Sequence, residues 1–353
     1  MTHSTASHTP IIYLRDHWEK LHRWIDEMAP TAIFVLTDAH TREHCLPLFK
    51  EKFNPYFKTI TIPAGEQHKT LNTAGEIWQF LIDCHADRHA LLINLGGGVI
   101  TDIGAFCADT YQRGISYIQM PTSILAMTDA AIGGKTGVNF SHFKNYIGTF
   151  SRAAGVAIDT QFLHTLPDSE KINGMGEIIK HGLIIGGALW DSLLLKPRID
   201  EINWEELLRL SIEVKLDIVT RDFKESGIRK VLNLGHTFGH AFETFTLRHS
   251  ETPMSHGEAV AHGLLCMVIL SEYRLGLPKS MGSEIKEVVQ KYFRIRTFDS
   301  IHLRDLYRIM GKDKKNAQGD VLCILLRQIG LPEWDISISF EDFEKIMTPL
   351  IKV

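Results

Sequence analysis

The feature that most constrains this chain is a regular alternation of strand and helix patterns across its first half. Short runs rich in apolar and β-branched residues lie at 31–38, 58–66, 90–98 and 115–123, and helical spacing of apolar residues fills 71–84 and 99–111. Strands that alternate with helices pack as a mainly parallel sheet with helices on both faces. The sequence therefore predicts an N-terminal α/β domain.

The second half has a different pattern, because long helical periodicities replace the strands. They occupy 168–193, 203–222, 230–247, 256–275, 281–293 and 339–351. Pro167 interrupts the chain between the two patterns, and proline commonly ends an element. We therefore expect two domains, residues 1–167 and 168–353, the second all-helical. Such halves pack with a cleft between them, and clefts are where ligands bind.

Composition argues against several kinds of partner. The 353 residues carry a formal net charge of −4, with 44% hydrophobic and 23% charged residues, as in an ordinary globular protein. A chain with this charge has no bulk attraction for nucleic acid or for an anionic membrane. We therefore expect neither partner, and an anionic substrate would need local clusters of Lys and Arg.

The cysteines and the terminal sequence bear on the compartment. The five cysteines are scattered and form no CxxC pair, which predicts free thiols in a reducing compartment. The N-terminus has no basic-then-apolar signal pattern. The longest apolar run, 259–270, is too short to span a bilayer. These features predict a cytoplasmic protein.

A glycine turn in INLGGGVITD, residues 93–102, lies between a strand pattern and a helix pattern. Backbone amides at such a helix start can face a pyrophosphate, and glycines permit its close approach. The spacing is not the full GxGxxG motif, so a plain strand–helix turn is an alternative. Three further strand ends carry polar side chains: Asp38, Glu66 with Lys69, and Thr122 with Ser123. Polar groups at one edge of the sheet favour a dinucleotide site.

The segment MTDAAIGGKTGVNFSHFKN, residues 127–145, is rich in glycine and in polar side chains. Its polar residues of interest are Asp129, Lys135, Lys144 and Asn145. A solvated surface loop would be an ordinary explanation. The apolar residues at 124–127 and the paired glycines at 133–134 instead favour close packing against the rest of the domain.

Two histidines of LNLGHTFGHAFE, residues 232–243, lie four apart, which places both imidazoles on one helix face. His236 and His240 could simply be core histidines with satisfied hydrogen bonds. With Glu177 and His256, however, His236 would supply one carboxylate and two imidazoles, the ligand set of a catalytic zinc with an open position. The three lie too far apart along the chain to form a local motif, so their spacing alone leaves the choice open.

Cationic and polar side chains accompany these candidate ligands. Lys180 follows Glu177 by three residues, a spacing that an exposed ion pair on a helix would also explain. The other members of the group are Lys215, Arg229, Asn233 and His240. This density of donors suits a substrate that carries carboxylate and phosphate groups.

The chain resembles the 3-dehydroquinate synthase family over nearly its whole length. The resemblance is densest in GGGVITDIGAFCADTYQRG, PTSILAMTDAAIGGKTGVN, KNYIGTF, DTQFLHTL, GMGEIIKHG, LNLGHTFGHAFE and HGEAV. Because so many motifs occur in one order, the match is highly specific.

The resemblance implies a Rossmann-like NAD-binding N-terminal domain and a helical C-terminal domain that binds metal and substrate. A divalent metal, zinc or cobalt, would be held by Glu177, His236 and His256. The resemblance also implies a homodimer, because Arg113 is similar to an arginine that reaches across the dimer interface in this family.

The resemblance further implies which residues contact NAD and an anionic sugar-phosphate substrate. The NAD contacts would be Asp38, Glu66, Lys69, Gly97, Gly98, Val99, Ile100, Thr101, Asp102, Thr122, Ser123, Asp129, Lys135, Lys144, Phe162 and Thr165. The substrate contacts would be Lys135, Asn145, Lys180, Lys215, Arg229, Asn233 and His240. A lysine of the segment 311–316 would join the phosphate site, and we favour Lys314 over Lys315.

The implied reaction converts 3-deoxy-arabino-heptulosonate 7-phosphate into 3-dehydroquinate and phosphate, in the shikimate pathway of aromatic amino acid biosynthesis. Transient oxidation by NAD, elimination of phosphate, re-reduction and an intramolecular aldol closure would occur in one turnover. One alternative is another sugar phosphate cyclase, of the 2-epi-5-epi-valiolone or 2-deoxy-scyllo-inosose synthase type. A metal-dependent polyol dehydrogenase and a non-catalytic NAD- or metal-binding protein are further alternatives. Retention of Arg229, Asn233 and His240 favours the dehydroquinate reaction.

Overall fold

The computed structural model describes residues 9–141, 143–299, 302–311 and 321–350. The chain divides into two compact units, Met1–Lys171 and Ile172–Val353. The predicted boundary after residue 167 lies about one helical turn before the observed division after Lys171. It coincides with the start of a helix that runs from Asp168 to Ile185.

Unit 1 is built on a six-stranded sheet in which every recorded strand pair is parallel. Its strands are β1 (Ile11–Tyr13), β2 (Ile33–Asp38), β3 (Lys58–Ile62), β4 (Leu91–Gly96), β5 (Ser116–Pro121) and β8 (Gly155–Ile158). The antiparallel pair β6 (Val138–Phe140) and β7 (Phe143–Ile147) forms a separate hairpin. The strand order in the sheet is β1-β8-β5-β4-β2-β3.

This order contains a reversal that matters for ligand binding. From β2 the chain goes to β3 on one side, and then returns to β4 on the other side of β2. Ligands of open parallel sheets bind beyond the carboxyl ends of the strands at such a reversal. Asp38 ends β2 and Gly97 follows β4, so the predicted acidic and glycine positions flank this point.

Helices cover both faces of the sheet, as its buried strands require. They are α1 (Trp18–Met28), α2 (Ala39–His44), α3 (Leu46–Lys52), α4 (Leu71–Asp83) and α5 (Gly98–Thr110). Successive residues of β4 point to opposite faces. Leu92 packs in a core with α4 and α5, whereas Leu91 and Ile93 pack in a second core with α1 and α3. The predicted α/β class with a parallel sheet is confirmed.

Unit 2 is predominantly helical, as predicted. Its helices are α6 (Asp168–Ile185, which begins in unit 1), α7 (Gly187–Leu194), α8 (Trp204–Arg221), α9 (His236–His249), α10 (His256–Arg274), α11 (Lys279–Tyr292), α12 (Leu303–Gly311) and α13 (Phe340–Met347). Among the described helices, none has the combination of length and apolar character needed to cross a membrane.

Three helix predictions differ from the structure in their bounds. The predicted helix 168–193 is two helices, because Gly186 adopts a left-handed φ of 68° between α6 and α7. The predicted helix 230–247 starts later, since a 3₁₀ turn (Ile228–Asn233) precedes α9. The predicted helix 339–351 ends as α13 at Met347, with a 3₁₀ turn over Thr348–Leu350.

Unit 2 also contains a β-hairpin, so the prediction that it is all-helical is incomplete. Strands β9 (Val321–Gln328) and β10 (Leu331–Ile338) pair in antiparallel register. The central residues of β9 are buried, and β9 packs on α10. A short apolar run such as VLCILL is compatible with a buried strand or a buried helix, which is why its periodicity did not identify it.

Candidate active site

Three side chains of unit 2 converge on one point from three helices. Glu177 lies in the middle of α6, and its side chain is 0% exposed. His236 is the first residue of α9, and His256 is the first residue of α10. The imidazole Nε2 atoms of His236 and His256 lie 3.4 and 3.5 Å from Glu177 Oε1. One ligand atom from each of the three lies within 4.8 Å of the other two, a spacing suited to a bound cation.

Each imidazole is oriented by an acceptor on its other nitrogen. His236 Nδ1 donates to the carbonyl of Leu234 at 3.2 Å. His256 Nδ1 lies 3.4 Å from a carboxylate oxygen of Glu243. Both Nε2 atoms thereby face Glu177, so each ring presents this nitrogen to the point where a cation would bind.

The electrostatics of this group fit a divalent cation. Burial alone would raise the pKa of Glu177, but the Lys180 ammonium, which donates to its carboxylate, and the two imidazoles hold that pKa well below its ordinary value. Burial lowers the pKa of His236 well below its usual range. Among the described residues, Glu177 Oε1 is buried without a hydrogen-bond partner. An ionised carboxylate and a neutral imidazole at a buried point are the donors that zinc and related metals use.

His256 has the opposite protonation tendency. Burial opposes its protonation, but the neighbouring carboxylates of Glu177 and Glu243 raise its pKa to about 10. The surrounding carboxylates therefore attract positive charge to this ring, and a divalent cation satisfies the same attraction.

His240 extends the cluster by one helical turn. Its ring centroid lies 5.1 Å from that of His236 and 6.1 Å from that of His256. The glycines directly ahead of His236 and His240 have steric causes. Gly235 has a φ of 76°, and a Cβ there would lie 2.9 Å from Leu264. A Cβ on Gly239 would lie 3.0 Å from the carbonyl oxygen of Ala259, so α9 and α10 touch through their backbones.

The segment between α8 and α9 holds Arg229 and Asn233, two of the predicted substrate residues. The guanidinium of Arg229 is 1% exposed, and Nη1 donates to the carbonyl of Phe223. Asn233 Nδ2 donates to Glu225 Oε1 at 2.6 Å. Lys215 is buried on α8. Glu225 is a residue that the sequence analysis did not single out, and nothing in its spacing identifies it.

Asp222 organises this loop, because its carboxylate accepts backbone N–H groups from Ser226, Gly227 and Arg229 at 3.0, 2.7 and 3.1 Å. Desolvation opposes its ionisation, but these donors lower the pKa of Asp222 to about 2. Because its pKa is lower in the folded chain, the Asp222 carboxylate stabilises the fold at pH values above about 4, the usual pKa of an aspartate in an unfolded chain. This stabilisation is lost as the pH falls toward the folded-state pKa of about 2.

We expect Asp222→Ala to destabilise the chain by about 1 kcal/mol at pH 7. A partly exposed carboxylate that accepts backbone N–H groups contributes about as much as a side chain that caps a helix N-terminus. The difference from the parent chain should shrink as the pH falls below about 4, because the Asp222 carboxyl of the parent chain becomes protonated. Thermal unfolding measured between neutral pH and pH 3 tests this, with Asp217→Ala, which removes an exposed ion pair with Arg221, as the control. A difference that persists unchanged in acid would contradict the role of the carboxylate.

In unit 1, the glycine turn leaves an open surface at the start of α5. Gly97 has an extended backbone, and neither Gly97 nor Gly98 has a left-handed φ. A Cβ on either would make only ordinary contacts of 3.5 and 3.6 Å with the chain. The fold itself therefore does not require glycine at these two positions. A ligand that approaches the backbone at the helix start would explain them.

An ion cluster lies beside this turn. Lys69 Nζ lies 3.1 Å from Glu66 Oε1 and 3.0 Å from Asp102 Oδ2. Burial opposes the charge on Lys69, but the two carboxylates raise its pKa above the ordinary value. Asn139 donates to Glu66 Oε1 at 2.9 Å, and its own Oδ1 accepts the backbone N–H of Asn145 at 2.9 Å. Asn139 therefore links two predicted segments, although the sequence analysis did not assign it a role.

The remaining predicted nucleotide residues lie at strand ends, at the start of α5 and in the segments that follow β5. Asp38 Oδ1 caps α2 by accepting the Thr41 N–H at 2.8 Å. Val99, Ile100, Thr101 and Asp102 form the first turn of α5, Thr122 and Ser123 follow β5, and Asp129 lies in a π-helical turn over Ala126–Ala130. The backbone of Lys135 pairs with that of Phe150 in an isolated antiparallel β-bridge. Lys144 lies on the exposed strand β7.

The last five predicted positions are Phe162, Thr165, Arg113, Lys314 and Lys315. Phe162 is 2% exposed and belongs to the core of unit 1, so its ring offers almost no surface to a nucleotide; Thr165 follows it and donates to its carbonyl at 3.4 Å. Arg113 is exposed, with a left-handed φ of 68°. Lys314 and Lys315 lie outside the described residues.

Comparison with known families agrees with these motifs. Residues 59–173 match the family described as 3-dehydroquinate synthase N-terminal, and residues 174–316 match 3-dehydroquinate synthase C-terminal. The 3-dehydroquinate synthase of Parabacteroides distasonis is 38% identical over 330 residues, covering 92% of both chains. The 3-dehydroquinate synthase of Pyrococcus abyssi is 40% identical over 319 residues, covering 90% of this chain and 91% of the relative.

A solved structure shares the fold. The 2-epi-5-epi-valiolone synthase of Streptomyces hygroscopicus, determined with NAD⁺ and Zn²⁺ bound, superposes with a TM-score of 0.84 at 25% identity, covering 97% of this chain and 96% of the other. Both halves of the chain match the family, and sequence identity to its members is well above that to this related cyclase. The chain therefore belongs to the 3-dehydroquinate synthase family.

Proposed function

We propose that this protein is an enzyme that converts 3-deoxy-arabino-heptulosonate 7-phosphate into 3-dehydroquinate and phosphate, as a carbon–oxygen lyase of the shikimate pathway. The observation that carries the proposal is the convergence of Glu177, His236 and His256, with the buried Lys180 beside them. This cluster occurs in a chain that matches the family over both of its halves.

NAD is the proposed nucleotide of unit 1. The open glycine turn at Gly97 and Gly98 would receive its pyrophosphate, and the strand-end groups Asp38, Thr122 and Ser123 would contact the remainder. When bound, NAD supplies a reversible hydride acceptor, which permits transient oxidation with no net redox change. The related valiolone synthase contains NAD⁺ in its structure, which supports the choice.

A divalent metal, zinc or cobalt, is the proposed cation of unit 2, held by Glu177, His236 and His256. When bound, such a metal supplies Lewis acidity for the ionisation of a substrate hydroxyl. The ammonium of Lys180 balances the charge of the Glu177 carboxylate in the buried site and donates a hydrogen bond to it. Burial of this pair keeps its electrostatic interactions strong, because little water screens them.

The cationic residues would bind and orient the anionic substrate. Arg229 offers a planar fork of donors that suits a carboxylate or phosphate, and Lys215 offers a buried point charge. His240 with Asn233 would bind phosphate. Lys135 and Asn145 are assigned to the substrate on the strength of the family resemblance alone. Holding the substrate through several steps supplies positioning worth several kcal/mol of the barrier.

The proposal also includes a cellular location and an oligomeric state. The free cysteines agree with a cytoplasmic, reducing location. The exposed Arg113 is the residue that we assign to the interface of a homodimer, on the strength of the family resemblance.

A coupled assay tests the reaction. The full chain is mixed with the heptulosonate 7-phosphate, a catalytic amount of NAD and Zn²⁺, while released phosphate and NADH absorbance are followed together. Phosphate release without lasting NADH is the expected result. Phosphate release only from sedoheptulose 7-phosphate would indicate the valiolone type of cyclase, whose fold this chain shares. Steady accumulation of NADH from a simple polyol would indicate a dehydrogenase.

Arg229→Ala tests the assignment of the substrate pocket. We expect a loss of about 10- to 100-fold in substrate affinity, since hydrogen bonds to charged groups are worth about 1.5–3 kcal/mol, with no change in NAD affinity. Calorimetry with each ligand measures both. Arg221→Ala, which removes an exposed arginine at the end of α8, is the matched control. Equal losses for both ligands would contradict the role of Arg229.

A further inference from the structure

We infer that Glu243 is a positioning residue for the metal site, because its carboxylate orients the imidazole of His256. This inference rests on the proposed function. It adds a residue of α9 that would touch neither the metal nor the substrate itself. It follows from the position of Glu243 relative to the two nitrogens of one ring.

The two nitrogens of His256 face two different carboxylates. Nε2 lies 3.5 Å from Glu177 Oε1, on the side of the candidate ligands. Nδ1 lies 3.4 Å from Glu243 Oε2, on the opposite side of the ring. A carboxylate at Nδ1 holds a proton there, so Nε2 is the nitrogen that the ring presents to the cation. Carboxylate–histidine–metal arrangements of this kind fix ring orientation and increase ligand basicity.

The other imidazole is oriented in a different way. His236 Nδ1 donates to a backbone carbonyl, that of Leu234, which is neutral and cannot be removed by a side-chain substitution. Of these two rings, and among the residues that the structure describes, His256 is the one with a charged side chain as its orienting acceptor. The side chain of His256 is 26% exposed, against 9% for His236, so the ring has more room to rotate and greater need of an anchor.

The main chain around His256 is fixed by other contacts. Arg296 donates to both carboxylate oxygens of Glu258 at 2.6 and 2.9 Å and to the carbonyl of Thr252 at 2.6 Å. The backbone N–H of Met254 donates to Thr246 Oγ1 at 3.1 Å. Removal of the Glu243 carboxylate would therefore change the orientation of the ring more than the position of α10.

The test measures metal affinity, which does not depend on turnover. The full chain is stripped of metal, Zn²⁺ affinity is measured by competition with a chromophoric chelator, and Co²⁺ binding is followed by its visible spectrum. We expect Glu243→Ala to weaken Zn²⁺ binding about 10- to 100-fold and to alter the Co²⁺ spectrum, in the range found for such outer partners. Glu243→Gln, whose amide oxygen can still accept from Nδ1, should recover part of the affinity.

Glu272→Ala is the matched control, because Glu272 is another partly buried glutamate of unit 2, paired with Lys286 at the far end of α10. Unchanged Zn²⁺ affinity and an unchanged Co²⁺ spectrum in Glu243→Ala would overturn the inference. If His256→Ala lost binding in the same series, the proposed metal site would still stand. A parent chain that binds no stoichiometric Co²⁺ would overturn the inference together with the proposed function.

Discussion

Replacing His236 with alanine is expected to abolish tight metal binding and to reduce turnover by roughly three orders of magnitude. The substitution removes one of three converging ligands at a buried carboxylate. Lewis-acid stabilisation is worth several kcal/mol, and each 1.36 kcal/mol corresponds to about a tenfold change in rate. Metal content of the purified chain and the rate of phosphate release measure the two effects.

The matched control is His249→Ala on the same helix. The ring of His249 stacks on Phe245, with centroids 4.4 Å apart, and it lies at the opposite end of α9 from His236. We expect this variant to retain metal and activity. An active, metal-replete His236→Ala enzyme would contradict the assignment of the ligands.

Gly263→Ala is expected to cause the largest loss of stability, about 3 kcal/mol, at the upper end of the range for overpacking. A Cβ at this position of α10 would lie 1.9 Å from the carbonyl oxygen of Gly235 and 2.9 Å from the backbone nitrogen of Gly239. The obstructing atoms belong to the main chain, so no side-chain rotation can relieve the clash. Thermal unfolding of the metal-free chain measures the loss.

Gly75→Ala is the control for this prediction. Gly75 lies within α4, and a Cβ there would meet nothing within 4 Å. Alanine is favoured over glycine in a helix by about 0.5–1 kcal/mol, so this variant should unfold at a slightly higher temperature. Equal effects of the two substitutions would show that helix propensity, rather than helix contact, determines the outcome at Gly263.

The sheet of unit 1 was predictable where its strands are long and apolar. β2 and β4 are six-residue runs with almost complete burial, and both were predicted. The edge strand β1 has three residues and β8 has four, which is too short for a pattern to be recognised. These strands exist because they extend a sheet that is already formed, and this tertiary effect is not encoded in local spacing.

The candidate site was predictable only in part. Glu177, His236 and His256 are distant in sequence, so their selection depended on the order of motifs and the family resemblance rather than on spacing. Asn139 and Glu243 contact other site residues through their side chains. Such partners carry no pattern of their own, because any nearby acceptor or donor could serve.

The direct backbone contact between α9 and α10 has a consequence for how the enzyme acquires its metal. Because main-chain packing sets the separation of these two helices, the chelating pocket is preformed before any ion arrives. The apoprotein should therefore be a stable folded species, unlike a zinc finger, whose folding requires the ion. Zinc would raise the melting temperature in proportion to the logarithm of its free concentration above the dissociation constant, and chelators would yield a form that can be reloaded.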